Sequence, residues 1–187
     1  LRHFAEQARR VAEQLEKPGL EVHVEDHEVR LDARRWKGFW SAFVHAIRNA
    51  VDHGIEAPDE RVALGKAPHG RLWLRTRQES GRVVIEVEDD GRGVDWARVR
   101  DKARAMGVAC ETLDDLQRAL FEEKLSTAAE VSEVSGRGVG MGALREATRA
   151  LGGEVTVTST HGGGTKVRMV FPLSASRTLE SVAPAAA

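Results

Sequence analysis

A helix predicted between Trp36 and Gly54 has two sides of different chemistry. At about 100° per residue, one side collects large apolar side chains, namely Trp36, Trp40, Phe43, Val44, Ile47 and Val51. The opposite side carries His45, Asn49 and Asp52 at i, i+4 and i+7, with His53 beside them. A solvated helix face usually carries Lys and Glu instead. The apolar side is therefore predicted to face the core, and the polar side to line a hydrogen-bonded groove or a ligand site.

The other periodicities of the chain predict the layers around this helix. Alternation predicts strands over "LEVHVE" (20–25), "RLWLRTR" (71–77), "RVVIEVED" (82–89), "EVTVTST" (154–160) and "TKVRMVF" (165–171), and "EVRLD" (28–32) is predicted to pair with the first strand. Helical spacing predicts further helices within 1–17, 96–106, 113–123 and 143–151, with Asp32 and Asp95 as N-caps. This order predicts an α/β two-layer sandwich, in which helices cover one face of a mixed, mostly antiparallel sheet.

Charge and cysteine content narrow the classes of protein. The formal net charge is −1, so no excess of basic residues favours nucleic-acid binding. Cys110 is the single cysteine, which excludes an internal disulfide and favours a reducing, cytoplasmic compartment. The length predicts one domain over 19–173. Residues 1–18 are predicted to be a helix, either a cap on this domain or the end of a linker or dimerisation helix, and 174–187 a linker or tail.

Glycine is concentrated in three places, at Gly91 and Gly93, at Gly136, Gly138, Gly140 and Gly142, and over residues 162–164. Glycine allows a backbone to approach a ligand closely and to turn its N–H groups toward phosphate. The chain contains neither the Walker pattern nor a G-x-G-x-x-G that follows a strand, which argues against a P-loop and a Rossmann site. Each cluster by itself is most often a turn or a hairpin tip. Their order and spacing together favour a functional site over three unrelated turns.

Taken in order, these segments resemble the ATP-binding domain of histidine kinases, within the GHKL superfamily that includes Hsp90 and gyrase, and most closely the CheA type. "HAIRNAVDHGIE" resembles the N box, and "VEDDGRGVD" the first glycine box. "LFEEKLSTAAEVSEVSGRGVGMG" resembles the F box, ATP lid and second glycine box, and "GGGTKVRMVFPL" the last glycine box and closing strand. The resemblance covers roughly residues 20 to 173 and implies a Bergerat-type fold with ATP and Mg²⁺ as cofactors.

The resemblance implies roles along the polar side of the helix. Asn49 matches the asparagine that ligates Mg²⁺, for which an amide oxygen is a suitable ligand. His45 replaces the glutamate of other members, as in CheA-like kinases, and would lie near the metal and the γ-phosphate as a catalytic residue. His53 would contact phosphate or ribose. Asp52 would orient a neighbouring histidine.

A second group of implied roles concerns the base. Asp89 matches the aspartate that accepts a hydrogen bond from the adenine amino group, and an acceptor-only carboxylate favours adenine over guanine. Thr165 would support this carboxylate through water. Gly91 and Gly93 would let the chain pass over the base.

The remaining implied contacts lie around the phosphates and the lid. Arg98 and Lys102, at i and i+4 on one helix, would reach the phosphates, although a solvated basic face is the alternative. The second glycine box would present N–H groups to the anion at a helix N-terminus, from Gly136, Gly138, Val139 and Gly140. Met141 would pack near the base or lid. The family pattern is broken at Leu125, where an aromatic is usual, and at Gly142, where Asp is usual.

The implied function is transfer of the γ-phosphoryl group of ATP to a histidine on a separate phosphotransfer domain or protein. A response regulator is the implied downstream partner. Nucleic acid is not an expected partner, nor is insertion of this segment into a membrane. Two alternatives stay open. One is a non-catalytic ATP-binding signalling module, and the other is a GHKL ATPase or serine kinase. His45 in the glutamate position argues against hydrolysis by the usual general base.

Overall fold

The computed structural model describes residues 1–27, 29–122 and 141–173. The helices are α1 (Arg2–Gln14), α2 (Lys37–Asn49), α3 (Pro58–Ala63), α4 (Trp96–Ala105), α5 (Leu113–Ala119) and α6 (Met141–Ala150), and a π-helical turn (Ala50–Gly54) continues α2. The strands are β1 (Glu21–Asp26), β2 (Arg71–Glu79), β3 (Arg82–Asp89), β4 (Glu154–Thr160) and β5 (Gly164–Pro172). All the predicted strands except the one at 28–32 are present.

The five strands form one sheet in the order β1-β2-β3-β5-β4. β1 lies parallel to β2, and the other three pairs are antiparallel. The predicted mixed, mostly antiparallel sheet is therefore confirmed. The register of the two central strands places Asp89, the last residue of β3, opposite Thr165 near the start of β5.

The core lies between the helices and one face of the sheet. Side chains at alternate positions of β3, Val83, Ile85 and Val87, are buried in it together with the aromatic side of α2. The rings of Trp36 and Phe171 pack at 4.6 Å between centroids. The predicted apolar side of the helix is confirmed as the buried side, although its Trp40 and Val44 are only partly buried.

The opposite face of the sheet carries charged side chains that pair with one another. Arg77 contacts Glu86 at 2.6 Å, and Lys166 contacts Glu88 at 3.1 Å. Arg75 also pairs with Glu88 across the β2–β3 ladder. Because acids and bases alternate across the strands, this face is neutral rather than a basic patch.

Helix α1 packs on the same core as α2. Its Ala5, Ala8 and Ala12 are buried, and the ring of Phe4 lies 5.1 Å from that of Phe43. Small alanines let the helix approach the core closely, while Phe4 fills the margin. This packing agrees with the alternative of a cap, and the predicted domain boundaries stay predictions. Residues 174–187 lie outside the described part of the chain.

The prediction that "EVRLD" pairs with β1 is wrong. Residues 29–32 form no strand, and β1 pairs with β2, from Glu21 opposite Arg71 to Asp26 opposite Thr76. The chain instead turns after residue 32, where the side chain of Asp32 accepts a hydrogen bond from the N–H of Arg35 at 2.6 Å. Asp32 thus stabilises the turn before α2, which begins at Lys37, and is not the N-cap of that helix.

Two helix ends also differ from the prediction. α5 ends at Ala119 instead of continuing to 123, because the chain turns there and buries the ring of Phe121 in the core. α6 includes Met141 and Gly142, which the prediction left outside the helix. The N-cap at Asp95 is confirmed, since its side chain accepts a hydrogen bond from the N–H of Arg98 at 3.0 Å.

No helix in the described ranges is long and apolar enough to cross a membrane.

Candidate functional site

The π-helical turn that continues α2 contacts the segment after β3 through two glycines, Gly54 and Gly91. The carbonyl of Gly54 accepts a hydrogen bond from the N–H of Arg92 at 2.9 Å. A Cβ added to Gly91 would lie 2.1 Å from that carbonyl oxygen, and one added to Gly54 would lie 3.1 Å from the carboxylate of Asp89. Gly91 is therefore required by close approach, and a side chain at Gly54 would have to displace the Asp89 carboxylate slightly. The structure brings the predicted N box and first glycine box together at this point.

Asp89 is a buried carboxyl with an unusual protonation equilibrium. It is 5% exposed, and its Oδ1 accepts a hydrogen bond from the N–H of Gly91 at 2.9 Å. Burial raises the pKa of Asp89 to about 7, further helped by the charges of Asp90 and Glu56, while backbone N–H groups of Gly91 and Thr165 oppose the rise. A carboxyl held in this way offers an acceptor whose charge changes near neutral pH.

The polar side of α2 leads away from this junction. His45 and Asn49 on α2 and Asp52 on the π turn are partly buried, and His53 is exposed. At about 1.5 Å of rise per residue, Asn49 precedes Gly54 by roughly 7 Å. Within the described ranges, no hydrogen bond to the side chain of His45 or Asn49 is formed. His45 and Asn49 are four residues apart and lie on the same side of α2.

His45 and Asn49 are the predicted metal ligands on this side of the helix. In residues 1–27, 29–122 and 141–173, no three His, Cys, Asp or Glu side chains cluster as a metal site built from protein ligands alone would require. Mg²⁺ commonly takes only one or two protein ligands and completes its shell with phosphate oxygens and water. The partly buried amide of Asn49, which has no other described hydrogen-bond partner, fits that donor set. The metal-binding roles of Asn49 and His45 stay predictions.

Lys17 contacts the π turn from the loop after α1, and the sequence analysis missed it. Its Nζ donates to the carbonyls of Val51 at 2.9 Å and Asp52 at 2.5 Å. Carbonyls at a helix C-terminus lack partners within the helix, and a cation there also interacts favourably with the helix dipole. Burial lowers the pKa of Lys17, and the charge of Asp52 opposes this change. A lysine just before Pro18–Gly19 was the only sequence signal.

The last glycine box meets the first one through Ser159 on β4. The hydroxyl of Ser159 accepts a hydrogen bond from the N–H of Val94 at 2.8 Å and lies 3.0 Å from the hydroxyl of Thr165. The indole N–H of Trp96 donates to the carbonyl of Ser159 at 3.1 Å. A Cβ on Gly93 would lie 2.1 Å from the carbonyl oxygen of Thr160. The predicted water-mediated support of Asp89 by Thr165 stays a prediction, since this hydroxyl is seen next to Ser159.

Four charged side chains contact one another beside the contact between Gly54 and Gly91, and the sequence analysis also missed them. They are Glu56, Arg61, Lys66 and Asp90. Arg61 contacts Glu56 and Asp90, each at 2.9 Å, and Lys66 contacts Glu56 at 2.6 Å. The Arg61 side chain is 1% exposed and that of Glu56 is fully buried. In the sequence, Glu56 ends the quoted N box, Asp90 lies in the first glycine box, and Arg61 and Lys66 lie between these motifs. The sequence analysis gave none of the four a role.

Arg98 and Lys102 lie on α4, in a smaller packing unit with α5. The unit has its own apolar cluster of Ala103, Cys110, Leu116 and Ala119. Arg98 is exposed and Lys102 is partly buried, and no described contact joins either side chain to α2 or Asp89. Their proposed reach to the phosphates stays a prediction.

The lid residues are described only in part. Gly136, Gly138, Val139 and Gly140 lie outside the described residues, as does Leu125. Met141 begins α6 and packs against the main core, and its predicted proximity to the base is not tested. Phe121 in the F box is buried, and the guanidinium of Arg145 lies 5.9 Å from its ring. This contact anchors the chain before the lid to α6.

Comparison with known proteins identifies the family. Residues 40–175 match the model of the "Histidine kinase-, DNA gyrase B-, and HSP90-like ATPase" family. The chain is 37% identical over 169 residues to the chemotaxis protein CheA of Cereibacter sphaeroides, covering 88% of this chain and 25% of that protein. It is 38% identical over 174 residues to the gliding motility regulatory protein of Myxococcus xanthus, covering 89% of this chain and 22% of that protein. The chain thus spans about a quarter of the length of these relatives.

Solved structures with the same fold include a histidine kinase domain. The histidine kinase domain of the blue-light activated histidine kinase EL346 from Erythrobacter litoralis superposes with a TM-score of 0.55 at 19% identity, covering 92% of this chain and 60% of that one. Full-length ShkA in complex with AMPPNP superposes with a TM-score of 0.57 at 21% identity, covering 91% of this chain and 28% of that one. At these identities the likeness concerns the fold. Together with the family match, it shows that the chain belongs to the histidine kinase-, DNA gyrase B- and HSP90-like ATPase family and that it resembles the ATP-binding domain of CheA-type histidine kinases.

Proposed function

We propose that this domain binds Mg-ATP and transfers the γ-phosphoryl group to a histidine on a separate phosphotransfer domain, in cytoplasmic two-component signalling. The observation that carries the proposal is the junction at Gly54. There the helix bearing His45 and Asn49 ends against Asp89 and Gly91, so that one extended ligand is able to contact both. The CheA relatives and the family match support the same assignment.

The adenine end of the ligand is assigned to Asp89. A carboxylate only accepts hydrogen bonds, so it suits the exocyclic amino group of adenine and opposes the carbonyl oxygen that guanine has at the same position. Its burial makes the contact selective, because a buried polar group that finds no partner is costly. Gly54 and Gly91 let the backbone pass close to this carboxylate, since a Cβ at either position would lie about 3 Å from it.

The phosphate end is assigned to the polar side of α2. Asn49 would hold Mg²⁺, which when bound supplies neutralisation of phosphate charge. His45, one turn earlier, lies on the same side of the helix and would orient the γ-phosphate. His53 would contact phosphate or ribose, Arg98 and Lys102 on α4 would reach the phosphates, and the second glycine box would direct N–H groups to them. These groups position and neutralise, which is most of what phosphoryl transfer requires of a protein.

The nucleophile is the imidazole of the acceptor histidine. Its neutral nitrogen attacks the γ-phosphorus, a nitrogen–phosphorus bond forms, and the bond from that phosphorus to the bridging oxygen breaks, releasing ADP. The imidazole proton on the other nitrogen is then lost to solvent. His45 would favour the neutral acceptor by placing an imidazole, not a second carboxylate, beside it.

Phosphotransfer with γ-labelled ATP, Mg²⁺ and candidate histidine phosphotransfer domains tests the proposal. The expected product is an acid-labile, base-stable label on the partner. An acid-stable label would indicate a serine kinase, and release of free phosphate without a partner would indicate an ATPase. ATP binding without either product would indicate a non-catalytic signalling module, and absence of ATP binding would refute the proposed site.

A further inference from the structure

The charge cluster under the junction is arranged around the backbone of the first glycine box. Arg61 directs Nη2 to the Asp90 carboxylate at 2.9 Å, Nη1 to Glu56 at 2.9 Å and Nε to the carbonyl of Ala67 at 2.8 Å. The other carboxylate oxygen of Asp90 accepts the N–H of Arg71 at 2.8 Å. Asp90 is thus held from two directions. A planar guanidinium fixes direction more strictly than a point charge.

Lys66 holds the same segment by its carbonyls. Its Nζ donates to the carbonyl of Gly91 at 2.8 Å and to that of Asp90 at 3.1 Å, while it contacts Glu56 at 2.6 Å. Asp89 immediately precedes these two residues, and its carboxylate accepts the N–H of Gly91. The path of the backbone at 90–91 therefore determines where the Asp89 carboxylate is directed.

Glu56 connects the cluster to the polar helix. It lies two residues after Gly54, and the intervening Ile55 is 1% exposed in the core. Both cations of the cluster contact Glu56 and also the segment at 90–91. The cluster thus spans the two chain segments whose contact creates the site.

Stability alone is a poor explanation for these buried charges. Replacing a buried ion-pair cluster by apolar residues of similar volume is often neutral or stabilising, because desolvation offsets the attraction between the charges. What apolar replacements cannot supply is the set of directed bonds to the carbonyls of Asp90 and Gly91. Lys66 donates to both carbonyls, and Arg61 also donates to the carbonyl of Asp90 at 3.4 Å.

We propose that Lys66 and Arg61 are positioning residues that determine base selectivity, by holding the backbone at 90–91 so that the Asp89 carboxylate faces the adenine amino group. The proposal rests on the proposed function, since it concerns the same base site. Neither cation touches the nucleotide. Their loss affects discrimination between adenine and guanine more than it affects the contacts of the phosphates with α2.

The test compares Lys66→Met with the unchanged chain and with Lys166→Met. Lys166 is a matched control, because it also pairs with a glutamate, Glu88 at 3.1 Å, but on the opposite face of the sheet. Binding of ATP and GTP is measured by calorimetry at about pH 8, where Asp89 is mostly ionised, and the free energy of unfolding is measured in urea. Lys66→Met is expected to lower the affinity for ATP about tenfold and to leave the affinity for GTP almost unchanged. Misplacing one group by a fraction of an ångström has effects of this size.

Further outcomes separate positioning from a merely structural role. Lys66→Arg keeps a charged donor and is expected to restore part of the preference for ATP, and the phosphotransfer kcat of Lys66→Met at saturating ATP is expected to stay close to that of the unchanged chain. Lys66→Gln replaces Lys66→Met if the latter does not fold, with the same expectation. Equal weakening of ATP and GTP, or an unchanged ratio, would overturn the positioning role alone. An unchanged chain that binds no ATP would overturn the proposed function and this proposal together.

Discussion

The backbone carbonyl of Gly54 accepts a hydrogen bond from the backbone N–H of Arg92 at 2.9 Å. This hydrogen bond joins the π-helical turn at the end of α2 to the glycine-containing segment that follows β3. Lys17 satisfies two further carbonyls of the same helix end from a third part of the chain. The π turn at Ala50–Gly54 makes these contacts geometrically possible, since the N–H of Ile55 bonds to the carbonyl of Ala50, five residues earlier.

Gly91→Ala is expected to lower ATP affinity at least about tenfold and the free energy of unfolding by about 1–3 kcal/mol. The new Cβ would meet the Gly54 carbonyl oxygen at 2.1 Å and would force the two segments apart. Calorimetry and urea unfolding measure both effects. The control is Gly38→Ala on α2, whose Cβ meets nothing within 4 Å and which is expected to stabilise by about 0.5–1 kcal/mol. Wild-type affinity in Gly91→Ala would contradict the close approach.

Asp89 is expected to make stability depend on pH in the direction opposite to an ordinary ion-paired carboxylate. Burial raises the pKa of Asp89 from 3.8 to about 7, so the folded chain binds a proton that the unfolded chain has released. This contribution is fully present below pH 3.8 and is lost as pH rises through about 7. The amide in Asp89→Asn is neutral at every pH, so this variant is expected not to lose this stability as pH rises. The midpoints of urea unfolding at about pH 5 and about pH 8 measure this difference. The same change of midpoint with pH in the unchanged chain and in Asp89→Asn would contradict the raised pKa.

His45→Ala is expected to reduce phosphotransfer by about 10²-fold or more while ATP affinity changes by only a few-fold, because His45 is assigned to the γ end of the nucleotide. Rates of partner labelling and calorimetric affinities measure the two quantities. Asn49→Ala provides the contrast, since loss of the metal ligand is expected to weaken ATP in the presence of Mg²⁺ much more than in its absence. Equal losses of rate and affinity in His45→Ala would refute a catalytic role.

Lys17→Met is expected to destabilise the fold by about 1.5–3 kcal/mol, the usual contribution of hydrogen bonds from a charged donor. The carbonyls of Val51 and Asp52 lose their partner, and the helix end beside Asp89 is loosened. Urea unfolding measures the change. Arg10→Met on α1 is the matched control, because its pair with Glu6 is exposed and long at 3.8 Å, and such surface pairs contribute about 0–1 kcal/mol. Similar losses in both variants would argue against a specific role for Lys17.

Local patterns predicted much of this fold. The apolar side of α2, the strands β2 to β5 and the cap at Asp95 are all determined by residues a few positions apart, and all are confirmed. The partner of β1 was mistaken because alternation identifies a strand without identifying its neighbour. Pairing with β2 rather than with residues 29–32 depends on how a distant segment returns to the sheet edge.

The sequence by itself determined which side chains share a helix side or a strand face, because those relationships follow from the geometry of 3.6 and 2 residues per repeat. It also pointed to Asn49 and Asp89 through their motifs. Only the tertiary structure decided that Gly54 and Gly91 touch, that Lys66 holds the carbonyl of Gly91, and that Asp89 is buried deeply enough to raise its pKa. Burial and contacts between distant segments depend on the whole path of the chain, and no local repeat encodes that path.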